Sequence, residues 1–202
     1  MRRSLVAATA ALLVLSACGT YDPEPGSTSS PTQEPSATVE PTPETPPAAS
    51  DLVVEPGRVG PAVAGMSKDE AVATGMFDAD VPAPVEGCEP YALVWKKEYE
   101  GLDVLATEDG SVASIGVTKG GPETAEGIGF GSTLREVRKA YPDLSPVVDA
   151  GFGQAGAFVV EDDAYIGLLF GEATKSTITK SSRVTFLEVT NGSKPDLMRS
   201  GC

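Results

Sequence analysis

The side chains of this chain that could do chemistry are carboxylates and thiols, because the sequence contains no histidine. Without histidine, neither a Ser-His-Asp nor a Cys-His catalytic set can form, and no metal can bind through imidazole. Asp162 and Asp163, like Glu108 and Asp109, are neighbours in sequence at expected turns. Hydrolysis by paired carboxylates needs two groups that converge from separate elements. We therefore expect solvated turns here, and no catalytic residue, metal site or cofactor.

Three glycines, Gly151, Gly153 and Gly156, spell the G-x-G-x-x-G pattern of dinucleotide-binding loops. Such a loop follows a strand and begins a helix. Here the pattern follows two prolines and leads into the apolar run Phe158, Val159, Val160. This context predicts a turn that enters a strand.

The net charge of −14 argues against a nucleic-acid partner, since binding to the phosphate backbone depends on lysine and arginine. Residues 51–202 contain 24 acidic and 13 basic side chains, a net charge of −11. Most of these charges fit a solvated surface. A basic partner and divalent cations are the functional alternatives.

Residues 1–17 have the order of a secretory signal peptide. Two arginines precede an apolar run from Leu5 to Leu15, which is too short to span a bilayer as a helix. The segment ends on Leu15, Ser16, Ala17 and Cys18. This ending resembles the lipobox of bacterial lipoproteins, and the composition resembles that of actinobacterial proteins. The resemblance implies that Cys18 is lipidated and anchors the chain to the outer face of the cytoplasmic membrane. An ordinary cleaved signal with an unmodified Cys18 is the alternative.

Residues 18–50 are expected to form a disordered tether after the lipidated cysteine. They consist mainly of Pro, Thr, Ser and Glu, with almost no large apolar residue after Tyr21. Such a segment cannot bury enough apolar surface to offset its ordering entropy. Fully stretched, it would reach roughly 100 Å and would hold the rest of the chain away from the lipid.

Once Cys18 is assigned to lipid, Cys88 and Cys202 remain as an even pair in an oxidising compartment. We expect a disulfide between them. Two free thiols, or a thiol active site, are the alternatives.

Residues 51–202 contain an internal duplication, with repeats at about 57–125 and 126–202. An offset of 66 residues aligns Ser67 and Glu70 with Thr133 and Glu136. Each pair makes the S/T-x-x-E capping box that begins a helix. Gly75 is expected to end the first helix, and the second is expected to reach residue 140 or 141 before Pro142.

Strand-like segments follow each expected helix. They are Tyr91 to Lys97, Leu102 to Thr107 and Val112 to Thr118 in the first repeat, and Ala157 to Glu161, Ala164 to Phe170 and Arg183 to Thr190 in the second. The order predicts an α+β fold of two tandem helix-strand-strand-strand repeats. Because neither repeat alone is large enough for a core, we expect one antiparallel sheet with the helices on one face.

The helix starts Gly60 to Glu70 (GPAVAGMSKDE) and Gly127 to Val137 (GIGFGSTLREV) carry a further resemblance. Their order is similar to the helix-plus-meander repeat of outer-membrane assembly lipoproteins of the SmpA/OmlA type. The same repeat occurs in tandem in the secreted β-lactamase inhibitory protein. A fold shared with an inhibitor does not by itself imply inhibition.

Aromatic side chains offer a binding surface if they lie on the open face of the sheet, since aromatics supply many interface hot spots. The residues concerned are Tyr91, Trp95, Tyr99 and Tyr165. A core position for Trp95 is the alternative.

The leading hypothesis is a non-enzymatic, lipid-anchored extracytoplasmic binding or scaffold protein with a protein or cell-wall partner. The alternatives are an inhibitor of a secreted hydrolase such as a β-lactamase, and a carboxylate-dependent cell-wall hydrolase.

Overall fold

The structure is a computed structural model that describes residues 45–82 and 91–197, all within one structural unit. A 3-10 turn at Ala49–Asp51 precedes two α-helices and eleven strands. The elements of the first half are β1 (Val54–Glu55), β2 (Arg58–Val59), β3 (Ala62–Val63), α1 (Lys68–Ala73), β4 (Phe77–Val81), β5 (Tyr91–Trp95), β6 (Leu102–Ala106) and β7 (Val112–Val117). Those of the second half are α2 (Leu134–Ala140), β8 (Val148–Asp149), β9 (Ala155–Glu161), β10 (Ala164–Phe170) and β11 (Phe186–Asn191).

The predicted helix starts are confirmed. Ser67 and Thr133 occupy the N-cap positions, and each exchanges hydrogen bonds with the glutamate three residues later in a complete capping box. Gly75, with a φ of 73°, follows the end of α1, and Tyr141 caps α2 directly before Pro142. Local hydrogen bonds and backbone restrictions therefore set both ends of each helix.

The predicted α+β architecture is wrong, because the described residues are mostly β and form three sheets. Helices of six and seven residues are only about 9 and 10 Å long, too short to cover one face of a sheet. Four strands follow each helix instead of three, since β4 and β8 were not predicted. The meander β1–β2–β3 before the first helix was not predicted either.

The largest sheet joins the two halves of the chain. Its six antiparallel strands have the order β6-β7-β11-β10-β9-β8. The halves meet where the last strand of each pairs, with Val117 opposite Leu187 and Ile115 opposite Val189. Strands β4 and β5 form a separate two-stranded sheet, and β1, β2 and β3 a three-stranded one.

One face of the six-stranded sheet supports the main core. Its central strands contribute alternate residues that are almost completely buried, including Ile166, Leu168, Phe170, Leu187 and Val189. Both helices contribute to the same core, through Ala71 on α1 and through Leu134 and Val137 on α2. This alternation is the period of two that a strand imposes on its side chains.

Part of the opposite face of the sheet, around β9, β10 and β11, is covered by the C-terminal segment, residues 193–197. Leu197 is 2% exposed and packs in a second cluster with Phe158, Leu169 and Phe186. Its backbone N–H donates to Oε2 of the buried Glu188 on β11, at 2.7 Å. Because this segment covers the second face, strand β10 is buried on both sides and reads as a continuous apolar run.

The end of the expected tether already packs against the rest of the described chain. The hydroxyl of Tyr99, itself 4% exposed, donates to the carbonyl of Pro47 at 3.0 Å. A Cβ on Gly75 would lie 2.5 Å from Cγ of Pro46. Residues from Pro46 onward therefore contribute to the packed structure.

Candidate functional site

Phe152 is the most exposed of the large apolar residues described, with 89% of its surface accessible. It lies in the turn between β8 and β9, at the outer end of the six-stranded sheet. A single exposed apolar residue is common on a protein surface. Phe152 differs from such residues in its backbone conformation.

The backbone around Phe152 forms a tight, hydrogen-bonded turn. Gln154 N–H donates to the Gly151 carbonyl at 2.9 Å, and Ala150 N–H donates to the Gln154 carbonyl at 3.0 Å. The two central residues, Phe152 and Gly153, have φ values of 49° and 74°. Two consecutive positive φ values are the requirement of a type I′ hairpin turn. That turn presents the ring of Phe152 at its tip.

Phenylalanine is a poor choice for this position on local grounds. The first central position of a type I′ turn favours Asn, Asp or Gly, and left-handed backbone costs most other residues roughly 1–2 kcal/mol. Backbone outliers of this kind concentrate at functional sites. The exposed ring and the unfavourable backbone together make this turn the candidate functional site.

The base of the turn is fixed by the sheet. Asp149 pairs with Ala155 across the hairpin, and its Oδ1 accepts a hydrogen bond from Gly151 N–H at 2.8 Å. Ala150 packs against the second apolar cluster, where Nζ of Lys194 lies 4.1 Å from the centre of the Phe158 ring. The turn therefore stands on a packed support, which fixes the position of the backbone at its base.

The four aromatic residues expected to form a binding surface lie in two parts of the structure. Tyr91 and Trp95 lie on β5, and Tyr99 follows that strand. Tyr165 lies on β10 of the six-stranded sheet, opposite Val160 and Thr190, and is partly exposed. Tyr99 is buried, so its ring belongs to the core.

Trp95 is partly buried and packs against the main core. Its ring centre lies 4.1 Å from that of Phe77 and 5.7 Å from that of Tyr99. The indole Nε1 is buried, with no hydrogen-bond partner among the described residues. Trp95 and Tyr99 thus act together in packing.

The carboxylate pairs are found at turns, as predicted. Asp162 and Asp163 are exposed between β9 and β10. Asp109 lies between β6 and β7, where hydrogen bonds, first from the Thr107 hydroxyl and then from Ser111, hold its pKa below the usual range. Of the G-x-G-x-x-G glycines, Gly151 and Gly153 form the turn and Gly156 lies within β9, which confirms the predicted turn into a strand.

Cys18, Cys88 and Cys202 lie outside the described residues, so their lipidation and pairing remain predictions. Among residues 45–82 and 91–197, no group of three acidic or cysteine side chains is arranged to hold a metal ion. Within the same ranges, neither helix has the length and apolar character of a membrane span.

Comparison with known proteins gives no relative: no family model, curated protein or solved structure matches the chain.

Sequence reasoning missed Phe152, although the signal was present in the glycine motif. The triplet Gly151-Phe152-Gly153 places one aromatic residue between two glycines, both of which have positive φ. Glycine has no side chain, so neither neighbour in the sequence offers the ring a side chain to pack against. Such a triplet favours an exposed ring.

Proposed function

We propose that this chain is a non-enzymatic, lipid-anchored extracytoplasmic binding protein that docks a partner protein through Phe152. The lipobox-like ending at Cys18 and the Pro-rich segment after it support the anchor and the tether. The single observation that carries the docking role is a phenylalanine 89% exposed on a hydrogen-bonded turn whose backbone disfavours it.

The partner that fits this site is a protein with an apolar concavity. Burying an exposed Phe side chain yields about 1.5–3 kcal/mol. Aromatic anchors that enter a pocket supply much of the energy of protein interfaces. Because the turn is already ordered, docking it costs less conformational entropy than docking a flexible loop.

Crosslinking in intact cells tests the proposal, with the full-length tethered protein as bait. Phe152→Asn removes the ring and places a residue that type I′ turns favour, so the variant should remain folded. Phe130→Ala is the matched control, because Phe130 is 42% exposed on a different loop. We expect a crosslinked product that is lost in Phe152→Asn and kept in Phe130→Ala. Equal products from all three proteins would disprove the role of Phe152.

The convex shape of the turn favours inhibition of a secreted hydrolase as a second candidate function, since a rigid hairpin tip can enter an active-site cleft. The resemblance of the helix starts to the β-lactamase inhibitory protein suggests the enzyme class to assay first. Inhibition at micromolar concentration that Phe152→Asn abolishes would support it. No inhibition of a panel of β-lactamases at that concentration would remove this candidate.

A further inference from the structure

A second feature, separate from the Phe152 turn, is a groove where the end of α2 meets β1 and the end of β9. Its cavity has a volume of about 360 Å³. Its floor consists of apolar side chains that are buried or partly buried, namely Val54, Ala140, Leu144 and Val159. Four carboxylates stand at its rim, namely Glu55, Glu126, Asp143 and Glu161.

One rim carboxylate is held in place by a tyrosine. The Tyr141 hydroxyl donates to Oε2 of Glu126 at 2.5 Å. Burial, and then this hydrogen bond, raise the pKa of Tyr141 far above its usual range, so it stays a neutral donor. The same bond lowers the pKa of Glu126, so its carboxylate stays ionised. The groove therefore keeps a fixed negative charge beside its apolar floor.

The groove continues into a neighbouring cavity of about 410 Å³, which shares Pro56 and Glu161 with it. Asp162 and Asp163 line this second cavity. No lysine or arginine lines either cavity among the described residues. Arg58, which pairs with Glu55 at 3.1 Å, compensates one carboxylate at the edge. We call the two cavities together the acidic groove; each is lined by carboxylates that could pair with a cationic group.

The occupant that matches this groove is organic. No three acidic side chains among the described residues are close enough to hold a metal ion. Lysine and arginine carry a cationic head on an apolar stem, and such side chains lay the stem along apolar surface while the head stays polar. An apolar floor with carboxylates at the rim complements both parts. Alternating basic and apolar residues in an extended chain would fill both cavities.

We infer that the acidic groove between α2, β1 and β9 binds an extended polypeptide segment rich in lysine or arginine. This site shares no residue with the Phe152 turn, so the inference does not depend on the docking role proposed above. Its specificity comes from paired charge and apolar contact, and charged partners also raise the association rate.

Fluorescence polarisation with the purified full-length chain tests the inference. The probe is a labelled peptide of alternating Lys and Leu, and a peptide of alternating Glu and Leu is its counterpart. We expect saturable binding of the basic probe that weakens as salt rises, and no binding of the acidic one. Absence of basic-probe binding up to about 1 mM would overturn the inference.

Matched charge variants locate the binding. Glu126→Gln with Glu161→Gln removes two groove charges, and the amide oxygen that Glu126→Gln introduces can still accept from the Tyr141 hydroxyl. Glu108→Gln with Glu172→Gln removes two exposed charges elsewhere. The groove variant should weaken binding about five- to tenfold, from the energies of exposed ion pairs, and the control less than about twofold. Equal weakening by both variants would show attraction to the overall negative charge and would overturn the groove as the site.

Discussion

Leu197→Ala is the sharpest test of the fold, because this side chain packs the C-terminal segment against the sheet. Leu197 is 2% exposed, and its methyl groups lie over two glycines on adjacent strands, Gly156 and Gly167. A Cβ on Gly167 would lie 2.6 Å from Cδ2 of Leu197, so the leucine occupies space that only glycine leaves open.

The expected loss follows from the buried carbons. Leucine to alanine removes three carbons, worth about 2.4 kcal/mol at roughly 0.8 kcal/mol each. Incomplete collapse around the cavity adds to this, and buried Leu→Ala changes span about 2–5 kcal/mol. Because residues 194–197 belong to no helix or strand and can shift to fill space, we expect a loss of about 2–3 kcal/mol, at the low end of that range.

Urea unfolding of the full-length chain, followed by Trp95 fluorescence, measures this loss. The midpoint should fall with an unchanged slope. Asp196→Ala is the control, since Asp196 is the exposed neighbour of Leu197 and should change stability by less than about 0.5 kcal/mol. A Leu197→Ala loss no larger than that of the control would refute the packing of residues 193–197 on the sheet.

A double-mutant cycle tests the contact itself. Gly167→Ala alone should destabilise, because the new methyl group overlaps Leu197 and would lie 2.9 Å from Cβ of Pro195. In the Leu197→Ala background the same methyl group fills part of the vacated space. The two losses should therefore add to clearly more than the loss of the double variant. Simple additivity would contradict the close approach.

Three further predictions concern the cap, acid stability and the cysteines. Thr133 caps α2 and is 7% exposed, so Thr133→Ala should lower the free energy of unfolding by about 0.5–2 kcal/mol in urea titration. Thr133→Ser keeps the capping hydroxyl and should recover most of the lost stability. Hydrogen bonds from the Thr133 backbone N–H and hydroxyl hold the pKa of Glu136 below its usual 4.5. A carboxyl group whose pKa is lower in the folded state stabilises the fold at pH values above its unfolded-state pKa. This stabilisation is lost as the pH falls through its folded-state pKa. The urea midpoint of Glu136→Gln should therefore fall less between pH 6 and pH 3 than that of the wild type, and parallel curves would contradict this. If Cys88 and Cys202 form the predicted disulfide, reduction should raise the intact mass by two hydrogens, and an unchanged mass would disprove the bond.

Asp162 and Asp163 were predictable as turn residues but not as part of a groove. The strand-like segments on either side of the pair predicted a hairpin that turns at these two residues, and the structure has the pair at the turn between β9 and β10. Strand β10 has the predicted bounds, Ala164–Phe170. No sequence pattern indicated that the pair borders a groove completed by β1 and α2, because those elements lie far away along the chain.

Local rules determined what the sequence could predict. A capping box at Ser67 or Thr133 acts through hydrogen bonds within four residues, and Pro142 stops a helix through its own ring. These interactions join residues that are close together in the sequence, so a local pattern is enough to predict them. The charge and the signal-like N-terminal pattern are likewise properties of the chain alone.

Only the tertiary structure decided the sheet order, the core position of Tyr99, the display of Phe152 and the acidic groove. Each depends on which apolar faces meet: β7 pairs with β11 because Ile115, Val117, Leu187 and Val189 share one core. Leu197 can pack on the sheet only because Gly156 and Gly167, on two adjacent strands, leave room for its methyl groups. Such pairings join residues far apart in sequence, and the free energy that selects them comes from burial that no local pattern encodes.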